Sequence, residues 1–255
     1  MLHNPLFYAL AVPAVILIGL AKGGFSGVGA VAMPLLALTV SPVQAAAILL
    51  PILIVQDAVG VWAYRKTWDR RTLTIMLPGA AVGILAGYLL AAKVSSTAIL
   101  AVLGAISILF ALQRLWAARG GRIATPSSIP ASADAALGVA LGAASGFTSQ
   151  IAHAGQPPFQ MWVLPKALPP ARLVGTTALF FAAMNWIKVP AYWALGQFTA
   201  QNLLTAAVLL PVAIASTFAG VWLVRRIDAS RFYTLIYVLM MLVGAQLLWE
   251  AWSKA

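Results

Sequence analysis

The chain contains no cysteine, which excludes disulfides, thiolate metal sites and cysteine nucleophiles. Acidic side chains are nearly as scarce, five Asp and Glu against 16 Lys and Arg, and histidine occurs twice. General acid–base chemistry needs such groups placed beside a partner, and the apolar runs hold too few to pair. There is no HExxH, no P-loop and no carboxylate pair. An enzyme is therefore not expected, and no motif calls for a cofactor or a metal. Ser149 and His153, at i and i+4, could touch as nucleophile and base, yet no orienting carboxylate lies near them in sequence.

Charge of either sign is rare too: 8% of the 255 residues are charged, where a soluble domain carries roughly 25%. In its place stand 62% hydrophobic residues and a mean hydropathy of +0.95. A chain of 26.8 kDa cannot hide that much apolar surface in its own core, so lipid must cover it. The basic excess does not mark a nucleic-acid binder, because it falls in short clusters between apolar runs, as the positive-inside rule produces. The start, Met1–Phe7, lacks a basic region and its apolar stretch runs past signal-peptide length, so no cleavable leader is expected. A multi-pass protein of the cell inner membrane is the expectation, with the bilayer as its main partner.

Eight apolar runs follow in order: Leu6–Val40, Val43–Tyr64, Leu73–Ala92, Ala98–Leu112, Ala135–Leu164, Leu173–Leu195, Leu203–Val224 and Phe232–Trp252. Each approaches or exceeds the ~20 residues of a spanning helix. Residues 119–133, with Gly120, Gly121, Pro126 and Pro130, read as a linker between a first membrane repeat (1–118) and a second (134–255). The repeat shows in recurring signatures. Asp57 aligns with Asn185 and Ala63-Tyr64 with Ala191-Tyr192. Leu77-Pro78 and Ala86-Gly87 align with Leu210-Pro211 and Ala219-Gly220, and Gly19 and Gly23 with Gly142 and Gly146.

If all eight runs simply span, the basic residues outside the core divide 8 against 6, which is no bias. If the first run of each half goes in and returns on the same side, twelve face the cytoplasm and only Lys93 and Lys254 lie opposite. Length agrees, since Leu6–Leu38 as one helix would reach about 50 Å against a hydrocarbon thickness of ~30 Å. The expected fold is all-α, with two inverted repeats. Each is a re-entrant hairpin of two half-length arms followed by three spanning helices. Eight plain spans are the alternative. Both termini then lie outside, with Trp68, Arg119 and Ser230 in cytoplasmic loops. Trp62, Trp68, Trp116, Trp249 and Trp252 fall near span ends as interfacial anchors.

The middle of each first run is polar and glycine-rich. One reads Gly19 to Gly29 with Lys22, Gly23, Gly24 and Ser26; the other reads Ser145 to Pro158 with Thr148, Ser149, Gln150, His153, Gly155 and Gln156. Glycine lets a helix break and a ligand approach, and a restarting helix offers N–H groups to an anion. Two such breaks in matching positions point to a transport site; a small-xxx-small packing series through Gly19, Gly23 and Gly27 is the plainer account. Ionisable groups within the apolar runs are few, and each needs a partner or a task. Lys22 would bring fixed charge to the first break. Lys188 and Asn185 share a helical face and would line the wall, although a structural ion pair between Asp57 and Lys188 is also expected. His153, of the residue type that titrates nearest physiological pH, is the candidate for proton coupling, or else bonds a free carbonyl.

The glycine-rich first segment ending in Pro34, its repeat, and the string Ile151-Ala-His153-Ala-Gly155-Gln156-Pro157-Pro158 resemble the sulfite exporter TauE/SafE family of membrane transporters over essentially the whole chain. One subgroup has a second glycine where Gln156 stands. The resemblance implies transport, often export, of sulfite, sulfonates or related small organosulfur anions. A passive anion channel and a non-transporting scaffold are the rival classes. Saturable, gradient-dependent flux would identify the transporter, and Ohmic current the channel. A homodimer is left open.

Overall fold

The computed structural model describes residues 5–25, 29, 32–37, 39–40, 42–90, 96–119, 130–152, 155–226 and 228–253. All regular structure among the described residues is helical: α1 (Pro5–Gly23), α2 (Ala32–Ala37), α3 (Pro42–Tyr64), α4 (Arg70–Leu90), α5 (Ser96–Arg119), α6 (Ala131–Ala152), α7 (Gln156–Val163), α8 (Pro170–Ala194), α9 (Ala200–Val224) and α10 (Ala229–Ser253), with a 3-10 turn at Leu164–Lys166. Six of these are long and apolar enough to cross a membrane: α1, most of α3, α4, α8, α9 and most of α10. Their outward side chains are apolar, as lipid requires. All five anchor tryptophans, Trp62, Trp68, Trp116, Trp249 and Trp252, are exposed.

Each first run does break, the first at its middle, after Gly23, and the second a few residues past its middle, after Ala152. Helix α1 has 19 residues and α2 six; α6 has 22 and α7 eight. The long arms, α1 and α6, are each followed by a shorter described helix. The stop is local. Gly24, at φ +141°, turns the chain out of α1 while its N–H and that of Phe25 still bond Leu20 O at 3.1 and 3.0 Å, a glycine C-cap. Nineteen residues reach about 28 Å at 1.5 Å each, close to the ~30 Å core.

Short polar side chains start three other helices, α4, α9 and α10. Asp69 Oδ2 accepts from Thr72 N and Oγ1, both at 2.8 Å, to open α4. Thr199 Oγ1 accepts from Asn202 N at α9, and Asp228 accepts from Arg231 N at α10. Such caps satisfy donors that a helix end leaves free.

Small residues let the long helices touch backbone to backbone. A Cβ on Gly23 would lie 2.5 Å from Gly220 Cα, and one on Gly19 would strike Ser216, so α1 and α9 run side by side in one direction. Helices α4 and α6 do the same: a Cβ on Gly142 would lie 2.3 Å from Met76 O, on Gly146 2.1 Å from Ala80 O, and Gly87 faces Gln150. Contact of this kind replaces the hydrophobic drive that lipid removes. Helices α5 and α10 pair around Gly104 and Gly244, and α3 packs on α8 at the centre.

Most of the described basic joints gather at one end. Asp134 there receives Arg71 and Lys166, each at 3.1 Å, Asp69 receives Arg172 at 3.2 Å, and Arg225 donates to Ala63 O. Trp162 Nε1 also bonds Asp134 O. The start of α6 is thereby tied to the α3–α4 turn and to the turn before α8.

Candidate functional site

A chain of polar side chains joins the ends of the two long arms. Lys22, near the end of α1, places Nζ 2.5 Å from Asp57 Oδ1 on α3. The other oxygen of Asp57 accepts from Asn185 Nδ2 on α8 at 2.6 Å. One helical turn further, Lys188 Nζ donates to Ser149 Oγ at 2.6 Å and to Ser149 O at 3.1 Å, near the end of α6. Asp57, Asn185, Lys188 and Ser149 are all buried, with Asp57 at 1% and Lys188 at 2% exposure. Four helices supply this path, and it exists because α3 and α8 cross where their polar residues face each other.

The charges along it do not balance locally. Asp57 neutralises Lys22, while Lys188 meets only neutral oxygens of Ser149; no carboxylate bonds Lys188 among the described residues. The expected Asp57–Lys188 ion pair is therefore not the one formed: Asp57 takes Lys22 and Asn185 instead. The face that carries Asn185 turns Asn185 to Asp57 and Lys188 away to α6. Lys22 also lies 5.6 Å from the centre of the Phe181 ring. An oxyanion beside Lys188 would meet one cation and one hydroxyl in a low-dielectric setting, where such contacts are strongest.

The glycines near Lys22 serve packing. Gly23 abuts Gly220, and Gly24 is hemmed by Val224 and Val174, where a Cβ would lie 2.5 Å from the Val224 side chain. Tyr64 OH donates to Gly23 O at 3.0 Å and thereby satisfies a carbonyl that the helix end leaves free. At the second break, Ser145 Oγ donates to Gly155 O at 2.5 Å and ties its two sides together. Gly155 is buried and Gln156 half-buried beside it. Thr148 spends its hydroxyl on its own helix, donating to Ala144 O at 2.7 Å. The start of α7 is a weak anion cradle, since Pro157 and Pro158 fill two of its first three positions and carry no N–H. Side chains must carry the recognition there. Ser26 and His153 lie outside the described residues.

Three groups were not singled out as site residues by sequence. Gln56 donates to Val15 O and Ala213 O, and its Oε1, like that of Gln150, is buried where the described residues offer no donor. Phe181, against Lys22, is the third. A glutamine inside an apolar run was the available signal for the first two; the phenylalanine gave none. Leu20 O, two residues before Lys22, faces Gly220, and Phe147 O, two residues before Ser149, faces Gly87.

A family model described as Sulfite exporter TauE/SafE matches residues 11–247. No curated protein and no solved structure matches the chain.

Proposed function

The chain belongs to the sulfite exporter TauE/SafE family of membrane transporters, and from that premise we propose that it moves a small sulfur oxyanion, sulfite or an organosulfonate, outward across the cell inner membrane. The observation that carries the site is Lys188, buried against Ser149 with no carboxylate on it among the described residues. An uncompensated cation within a membrane protein is costly and marks an ion path. A tetrahedral oxyanion between Lys188 and Ser149, with Gly155 and Gln156 alongside, offsets that cost. Lys22 and Asn185 act one step away, holding Asp57 out of this seat. Ser26, Thr148 and His153 complete the proposed lining, with His153 as the group through which a proton accompanies the anion.

The same reading takes the halves (1–118 and 134–255) as inverted repeats around this site. Several features support it. Helix α1 runs parallel to α9 and α6 to α4, each along interlocked small residues. Helices α3 and α8 pack against each other head to tail, with Asp57 opposite Asn185 and Gly60 beside Ala178. Consecutive long helices α1 and α3 both end at the basic end, where Tyr64 bonds Gly23 O, so the chain between them must turn back. Cysteine labelling tests this arrangement cleanly in a chain without native cysteine. Replacements of Trp68 and Leu168 should label from the same, cytoplasmic face, and labelling from opposite faces would overturn it.

Flux into proteoliposomes decides the function. Saturable uptake of sulfite or a short sulfonate, driven by an imposed gradient, is expected. Ohmic conduction would make the protein a channel, and neither flux nor binding would leave a scaffold. The coupling role is read from a sulfonate, which stays anionic across the pH range. His153→Gln should flatten the pH profile of its transport, and an unchanged profile would remove the histidine from coupling.

A further inference from the structure

At the basic end a second group of cations stands apart from the transport path. Trp62, Ala63, Arg65, Lys66, Thr67 and Arg225 line a pocket of about 290 Å³ between the C-terminal ends of α3 and α9, roughly the space of ten waters at about 30 Å³ each. Two guanidinium groups are held in place there. Arg65 Nη1 donates to Trp62 O at 2.8 Å and the group lies 5.2 Å from the Trp62 ring centre; Arg225 Nη2 donates to Ala63 O at 3.3 Å. These bonds satisfy carbonyls at the end of α3 and use one N–H of each five-donor fork. At this end Arg71, Lys166, Arg172 and Arg231 each have an aspartate, while Arg70 has no ion pair among the described residues and Arg226 lies 4.1 Å from the Trp222 ring centre. No ion pair among the described residues takes Arg65, Lys66 or Arg225.

We propose that this pocket binds the phosphate headgroup of an anionic membrane lipid. The site chemistry is that of a tetrahedral oxyanion, and the surroundings select a lipid as its source. Trp62 of α3 and Phe218 and Trp222 of α9, two helices long and apolar enough to cross a membrane, are exposed, with Trp62 and Phe218 edge to face at 6.2 Å. They offer a wall for acyl chains directly below the cations, at the depth where tryptophan marks the membrane interface. The fold itself does not demand these charges. The matching joint of the other half runs Ala191-Tyr192-Trp193-Ala194 after Pro190, with an exposed tryptophan and no cation. The positive-inside rule requires basic residues on one side of the membrane. It does not require them to converge, unpaired, on one pocket beside an exposed tryptophan.

The test uses the full chain in neutral detergent, titrated with phosphatidylglycerol, phosphatidylcholine or inorganic phosphate, with lipid adducts read by native mass spectrometry. Phosphatidylglycerol should be retained in preference to phosphatidylcholine. Each cation near a membrane surface contributes about fivefold to affinity for anionic lipid, so Arg65→Gln with Arg225→Gln should lose about 25-fold. Arg70→Gln with Arg231→Gln, an equal charge loss at the same end, should leave retention nearly unchanged. If the first double variant does not fold, Lys66→Gln alone should lose about fivefold. Equal retention of the two lipids, or equal loss in the two double variants, would overturn the proposal. So would displacement of the lipid by millimolar inorganic phosphate, which would make this a site for soluble oxyanions.

Discussion

The two breaks solve the same problem with opposite distributions of charge. At the first, the cation sits on the broken arm itself: Lys22 projects from α1 and is neutralised by Asp57 across the helix contact. At the second, the broken arm brings a hydroxyl, Ser149 of α6, and the cation arrives from the neighbouring helix as Lys188. Asp57 of α3 and Asn185 of α8, aligned with each other in the proposed repeat, bond at 2.6 Å. With a carboxylate at one of these positions and an amide at the other, Lys22 has a direct ion pair and Lys188, among the described residues, bonds only Ser149.

The comparison breaks most visibly at Asp57. Asp57→Ala strands Lys22 without its partner, and loss of one member of a buried ion pair costs about 3–5 kcal/mol. Thermal unfolding of the purified protein should drop sharply. Lys188→Met, which strands no opposite charge, should keep the fold. A comparable loss of stability in both variants would show that the two cations are structurally equivalent.

Function should divide in the reverse sense. Removing a charge-assisted bond is worth about 1.5–3 kcal/mol, so Lys188→Met should weaken sulfonate binding about 10- to 100-fold. Calorimetry on the folded variant reads this directly, and unchanged affinity would move the seat away from Lys188. Lys22→Ala also strands Asp57, so the informative variant there is the double Lys22→Ala, Asp57→Ala. Its affinity should change less than that of Lys188→Met.

The backbone of the two breaks differs as well. Gly24 has φ +141°, whereas Gly155 sits at φ −74°. Gly24→Ala should cost about 1–3 kcal/mol from backbone strain alone, and Val224→Ala in addition should recover only the steric part. Gly155→Ala meets Ser145 O and Ser149 Cβ, each at 2.7 Å, with no backbone strain, so trimming Ser149 to Gly, which removes that Cβ, should relieve part of its cost. Equal rescue in both cases would mean that crowding governs both breaks. The smallest effect is expected for Ser149→Ala in the otherwise unaltered chain, a loss of about 1 kcal/mol in stability, because Ser149 O still accepts from Lys188.

Much of this was legible beforehand. An apolar excess that no core of this size could bury leads directly to membrane helices. The glycine-rich stretches mark where α1 and α6 end to within a few residues, because helix termination is a local event governed by φ and by capping. Asp57, Asn185, Lys22 and Lys188 stand out because few ionisable or strongly polar residues interrupt the apolar runs. Their pairing was not legible: Asp57 and Lys188 looked like partners, and the bond goes to Lys22. Partner choice depends on how α3 rotates against α1 and α8, within a fraction of a helical turn, and periodicity does not fix that rotation. The break at Gly24 falls in the middle of the Leu6–Val40 run, and α1 alone is already almost a full span.

Composition and charge order thus determined by themselves that this chain lives in lipid, where it breaks, and which residue types are set inside, since each follows from the cost of exposing or burying single residues. Tertiary structure alone decided that Lys22 is neutralised and Lys188 is not, and that Arg65, Lys66 and Arg225 converge on one pocket. Those outcomes depend on side-chain distances of a few ångströms across helices far apart in sequence. Close glycine contacts between the helices set those distances.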